Sequence, residues 1–302
     1  MKKQQSYFIL TALLYCFLAP GVTLAQPSII EENNYNNSNL PLMQRQVEDD
    51  INKRLNIYKD SVIDQANTSL KETQNALDLL YENKPQEAKN ELEKSINKLN
   101  IVLAKYPNLI LAPVEVSITA YDVFSPPYAL SSIIRQAKAS LKQGKLQSTR
   151  ALICTLASEV TVYVTHIPLG TYPEAIQSVI KLIDNNQLKE AKIKLQIALN
   201  TLVVKAHVFP LPYIRSLQSL DIVKEINELK IQSDQHMQSI LSLLNYIRAQ
   251  LQLAEVLGYA SYRTHKPIYK QLDEIEIRAK RREIALTEIA NAQHFLSHLI
   301  NH

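Results

Sequence analysis

From Val47 to Leu80 apolar or small residues return every three or four positions, through Ile51, Leu55, Tyr58, Val62, Ala66, Leu70, Thr73 and Leu77. That spacing keeps them on one side of a 3.6-residue helix, so the segment is predicted helical with one face buried. Ser69-Leu70-Lys71-Glu72 also fits a capping box, in which serine and glutamate side chains satisfy exposed backbone N–H groups. One long helix and two stacked ones both agree with the pattern over 43–81.

A degenerate repeat follows. Leu80-Tyr81-Glu82-Asn83-Lys84, Leu141-Lys142-Gln143-Gly144-Lys145 and Ile183-Asp184-Asn185-Asn186-Gln187 each lie between two amphipathic stretches. Each carries a residue that tolerates the left-handed backbone conformation: Asn83, Gly144 and Asn186. Three helical hairpins with short turns are predicted. Their unequal spacing argues for duplication within one domain rather than a solenoid.

After each hairpin the period changes from helical to alternating. Val114–Val123, Val160–Ile167 and Leu202–Phe209 are rich in β-branched residues, and the last two run into Pro168 and Pro210. Three short strands pairing into a small sheet are expected, with extended helix connections as the rival reading. Ser125-Pro126 and Thr171-Tyr172-Pro173-Glu174 read as helix starts. Beyond Pro212 three more helices are predicted, over 213–231, 233–257 (closed by Gly258) and 267–300 (opened by Pro267). The fold class is therefore mainly α with a minor β component: helical-hairpin repeats, a three-stranded β element and a C-terminal helical segment.

Composition narrows the chemistry. The 302-residue chain has four glycines, none near another, so neither a Walker loop nor a G-x-G-x-x-G turn can form. Its formal charge of +4 is spread along the whole length, which gives nucleic-acid binding little support. Lys2-Lys3, the apolar run Tyr7–Leu18 and Thr23-Leu24-Ala25 have the layout of a secretory signal peptide over 1–25. The mature protein is expected to be periplasmic or secreted and to have no membrane span. The asparagine-rich stretch 26–42 reads as a disordered linker, and 43–302 as one mostly helical domain. Removal of the leader leaves Cys154 without a disulfide partner, and its apolar setting predicts a buried, inert thiol.

Several blocks in one order resemble the YfdX family of exported bacterial proteins over about 70–278. They include Ala112-Pro113-Val114-Glu115-Val116-Ser117, Ile167-Pro168-Leu169-Gly170-Thr171-Tyr172-Pro173 and Ala198-Leu199-Asn200-Thr201-Leu202-Val203-Val204. Further blocks are Pro210-Leu211-Pro212, Gln252-Leu253-Ala254-Glu255-Val256-Leu257-Gly258-Tyr259 and Lys266-Pro267-Ile268-Tyr269. The resemblance implies a mainly helical envelope protein, with members associated with acid and drug stress. It brings no catalytic residues with it.

Candidate chemistry is sparse. No metal site is expected; His294, His298 and His302 stack at helical spacing, which a polar helix end also explains. Cys154 with His166 or His207 is the one conceivable thiol–imidazole set, and Asp273, Glu274 and Glu276 read as i, i+4 partners of Arg278 and Lys280. No catalytic residue and no cofactor are expected. Tyrosine is the abundant aromatic, at 15 against five phenylalanines and no tryptophan. Tyr121, Tyr128, Tyr163, Tyr172, Tyr213 and Tyr259 flank the strands and proline turns, which makes them candidate ligand or subunit contacts, with half-buried packing as the plainer reading. His166 and His207, with His236 and His265, are candidate pH-sensing groups. The expected function is non-enzymatic, stress-associated binding of a client protein or an amphipathic small molecule, by a homo-oligomer. An acid-activated holdase and an enzyme of unrecognised type are the alternatives.

Overall fold

The computed structural model describes residues 40–123, 127–229 and 233–301; the expected leader, most of the linker and the Ser125-Pro126 helix start lie outside them. The elements run α1 (Leu40–Asp60), α2 (Asp64–Tyr81), α3 (Pro85–Lys105), β1 (Leu111–Tyr121), α4 (Pro127–Lys142), α5 (Leu146–Ile153) and β2 (Glu159–Pro168). They continue through α6 (Tyr172–Asp184), α7 (Leu188–Asn200), β3 (Val203–Pro210), α8 (Leu211–Glu228), α9 (Asp234–Leu257), α10 (Tyr262–Lys280) and α11 (Leu286–Asn301). The protein is mainly α with a minor β component. All three extended segments are strands, joined in one antiparallel sheet of order β1-β2-β3 with a helical hairpin between each pair of neighbours.

The three turns form as expected: Asn83, Gly144 and Asn186 have φ of 59°, 70° and 58°. The first long helical pattern does break, though not at Ser69. Helix α1 ends at Asp60 and α2 begins at Asp64, while Ser69 lies fully buried inside α2. Its hydroxyl is 2.7 Å from that of Ser95 on α3, which also meets Thr73 at 2.9 Å. These small polar residues let the two helices approach closely, and their hydroxyls satisfy one another in the core. Thr171 does stand before α6, but its side chain makes no cap hydrogen bond.

The chain forms two compact units. The first comprises Arg54–Ile118 and Val162–His207. In it α2 packs on α3 and α7, and α6 on α3 and α7, so the first and third hairpins cover each other. Leu80, Leu92, Leu99, Ile176 and Leu195 fill the space between them, each almost fully enclosed. The second unit comprises Thr119–Thr161 and the chain from Val208 on, with the described residues of α1 that precede Arg54. Its centre is α8, which buries residues on every side, Tyr213, Ile214, Leu220 and Val223 among them. A helix apolar all round needs neighbours all round, and α8 has α9 and α11 against it.

The C-terminal region departs from the sequence expectation. One helix over 267–300 is in fact two, α10 and α11. Helix α10 starts at Ser261, whose side chain accepts from the Thr264 N–H, and Pro267 lies inside it. Arg282, at φ 60°, closes that helix without a glycine.

Candidate functional site

The densest set of buried titratable groups lies where α9 ends and α10 begins. Gly258 turns left-handed at φ 86° after the last residue of α9, and its N–H and that of Tyr259 bond back to that helix. Ser261 then caps α10. The tight turn brings Glu255, in the last turn of α9, beside His265 and Tyr269 on α10.

His265 has no solvent exposure. Its Nδ1 is 2.9 Å from Glu255 Oε1 and its Nε2 is 3.0 Å from the Tyr213 hydroxyl on α8. With a neutral imidazole the pattern is complete in one tautomer: Nδ1–H donates to the carboxylate and Nε2 accepts the Tyr213 O–H. Tyr269 also donates to Glu255 Oε1, at 3.1 Å, and its ring stacks on Tyr262 at 5.6 Å. Burial, helped by the Glu255 charge, pushes the Tyr213 phenol up to about 12. The same two causes raise Tyr269.

A second group flanks the turn. The Tyr259 hydroxyl donates to Glu159 Oε2 at 2.7 Å and accepts from the Ser158 N–H at 2.9 Å. Thr161 donates to the other oxygen of Glu159. Asp122 accepts from Ser158 Oγ at 2.8 Å and takes both guanidinium nitrogens of Arg215. Burial opposes the Arg215 charge, but the hydrogen bond and charge of Asp122 outweigh it and hold the guanidinium above its ordinary range. Burial likewise raises Tyr259 and Tyr246. Three carboxylates, Asp122, Glu159 and Glu255, thus each accept at least two hydrogen bonds around one helical turn.

The tyrosines singled out from sequence do not assemble into one surface. Tyr213 and Tyr259 belong to the turn just described. Tyr172 sits in the core of the first unit near Thr73, and burial pushes its phenol up to about 12. Tyr121 and Tyr163 are half-buried on β1 and β2, and Tyr128 stands 79% exposed on α4. His166 Nδ1 lies 3.2 Å from the Val203 carbonyl, and His207 meets the Tyr58 ring at 4.7 Å. His236 is capped into α9 through its backbone by Ser233.

Cys154 is partly exposed at the end of α5 rather than buried, because only Thr149 of that short helix is enclosed. Glu276 does pair with Lys280, at 2.6 Å, and also with Arg248 of α9, at 2.7 Å. Those two cations hold its carboxyl below the usual range. His294 and His298 line a shallow groove of about 460 Å³ with Phe295 and Gln271. Among the described residues no cluster of three or more metal-ligating side chains occurs, and no helix is long and apolar enough to cross a membrane.

Glu255, Tyr269 and the pairing of His265 with Tyr213 escaped the sequence reading as a constellation. Tyr269, with Tyr262, stood among the tyrosines near proline turns, but Glu255 was visible only as part of a family-like block, and Tyr213 and His265 lie 52 positions apart.

No curated protein matches the chain. A solved structure of YfdX from Salmonella Typhi aligns at 17% identity and a TM-score of 0.36, covering 50% of this chain and 93% of that one. The family model described as YfdX protein matches residues 69–208, from α2 through most of β3, and does not reach the blocks beyond. Over residues 69–208, a little under half of its length, this chain is similar to the YfdX family.

Proposed function

We propose that this protein is a non-enzymatic, exported envelope protein that binds partner proteins or amphipathic small molecules as a homo-oligomer, with binding switched by acid. The observation that carries the reading is the buried Tyr213–His265 pair joined to the partly exposed Glu255 and Tyr269. Its imidazole has no path to a substrate, which favours a structural and regulatory part over catalysis. The leader-like N-terminus supports export.

The switch follows from hydrogen-bond arithmetic. An ionised Glu255 accepts from both His265 and Tyr269 on Oε1; protonated on Oε2 it keeps that acceptor but loses its charge, which weakens both bonds. A charged His265 donates through Nε2–H to the Tyr213 oxygen, so the Tyr213 O–H must turn away and find another acceptor. Either event loosens the junction of α8, α9 and α10 and frees apolar surface for binding. Acidification from neutral pH to about pH 4 should therefore increase binding of a hydrophobic dye before global loss of helix. Glu255→Gln should bind dye already at neutral pH and respond less to acid. Equal dye binding by both proteins at every pH would rule the switch out.

An acid-activated holdase is the second reading. It is favoured by Ile193 and Ile197, one turn apart on α7 and each more than half exposed. Light scattering from a denaturing client at about pH 4 to 5, where the carboxylates titrate, tests it. Failure to suppress aggregation at equimolar protein excludes it.

A further inference from the structure

The second hairpin differs from the other two. The first and third cover each other's apolar faces, whereas α4 and α5 pack on one another and, through α4, on α9. Apolar positions at their tip are therefore open, Leu141 at 54% exposed and Leu146 at 64%, as is Ile153 at the far end of α5, at 53%.

The charge of this hairpin is one-sided. Between Asp122 and Glu159 there is no acidic residue, while Arg135, Lys138, Lys142, Lys145 and Arg150 are all present and exposed. Among the described residues none of these five cations forms an ion pair. The two acids that bracket the hairpin are turned inward, Asp122 onto Arg215 and Glu159 onto Tyr259. On α4, Arg135, Lys138 and Lys142 recur at i, i+3 and i+7, a narrow stripe. Tyr128 precedes Arg135 by seven positions and so extends it, and Leu141 lies beside Lys138 on the helix wheel.

We infer that the α4–α5 hairpin is a docking surface for an anionic phospholipid bilayer. Cations flanking exposed aliphatic side chains and an exposed tyrosine match the interface of a membrane, where headgroups meet the bases and the apolar tips enter the acyl boundary. A second copy of the same face would set five cations against five, so self-association here is opposed by charge. A nucleic-acid groove would interleave stacking aromatics with the bases; the open apolar residues at this tip are aliphatic. The inference does not depend on the acid switch, which concerns the buried turn at α9–α10.

Co-sedimentation of the full chain with vesicles tests it, using phosphatidylcholine alone and phosphatidylcholine mixed with phosphatidylglycerol. The protein should pellet with the mixed vesicles, not with the neutral ones, and release in high salt. Lys138→Gln combined with Lys142→Gln should lower the partition coefficient about thirtyfold, at about fivefold for each lost charge. Leu141→Ser with Leu146→Ser should also weaken it; all four positions are exposed, and an unchanged thermal melt would confirm intact folding. Equal pelleting of the wild type and the lysine variant overturns the inference. So does failure to bind mixed vesicles while polyglutamate is retained, or a dimer that the lysine substitutions dissociate.

Discussion

Asp221 shows how one buried carboxyl couples this fold to pH. It lies on α8, and burial raises its pKa above 3.8 even though Gln293 on α11 donates to it at 2.6 Å. A raised acid favours folding in its neutral form. That contribution is complete below the unfolded pKa and is lost as pH rises through the folded one, so at neutral pH the ionised side chain is a net cost. Asp221→Asn keeps the oxygen that Gln293 uses and removes the charge. The urea midpoint should therefore rise at neutral pH and stay level at about pH 3, below the ordinary aspartate range. A lower midpoint at neutral pH would mean that the charge itself is needed. Nothing in the sequence marks Asp221, because Ser-Leu-Asp-Ile-Val reads equally well as an exposed polar position on a helix. The same holds for the Tyr213–His265–Glu255 set: each residue type is visible, but their meeting depends on how three helices cross.

Among the elements, the features that could be read from sequence are those set by local backbone geometry. Asn83, Gly144, Asn186 and Gly258 all take the left-handed conformation, which few residue types tolerate, so the type itself announces the turn. Of the two capping motifs, Thr171 does mark the start of α6, though its side chain makes no cap bond, whereas Ser69 is drawn into the core by Ser95. Pro267 suggested a helix start that Ser261 in fact provides, and the α10–α11 break at Arg282 has no glycine to betray it. Gly258 carries the turn on which the candidate site depends. A Cβ there would meet nothing within 4 Å, so its φ of 86° is the whole penalty. Gly258→Ala should cost about 1 kcal/mol through the left-handed strain alone, measured by urea unfolding. It should also weaken acid resistance by loosening Glu255 from His265. A loss well beyond that size would point to a contact at this position that the backbone argument lacks.

For the molecule as a whole, tyrosine sets the alkaline limit. Tyr172 in the first unit and Tyr213, Tyr246, Tyr259 and Tyr269 in the second are all raised, chiefly by burial. Between about pH 10, where free tyrosine ionises, and the higher folded values, the native state holds protons that the unfolded chain has given up. Stability should be flat through neutral pH and fall steeply above that point. Thermal melts across the range will show it, with tyrosinate absorbance lagging until unfolding. Tyr213→Phe should shallow the slope, and an unchanged slope would place that phenol in contact with water.

Helix α8 is enclosed partly by α11, which enters the chain well after it. Until residues 286–301 have been made, Gln293 cannot reach Asp221, and Leu296 and Ile300 cannot close over the central helix. The second unit therefore cannot finish folding while its chain is still growing past α9. A polypeptide that stays open that long remains threadable, as the proposed export requires.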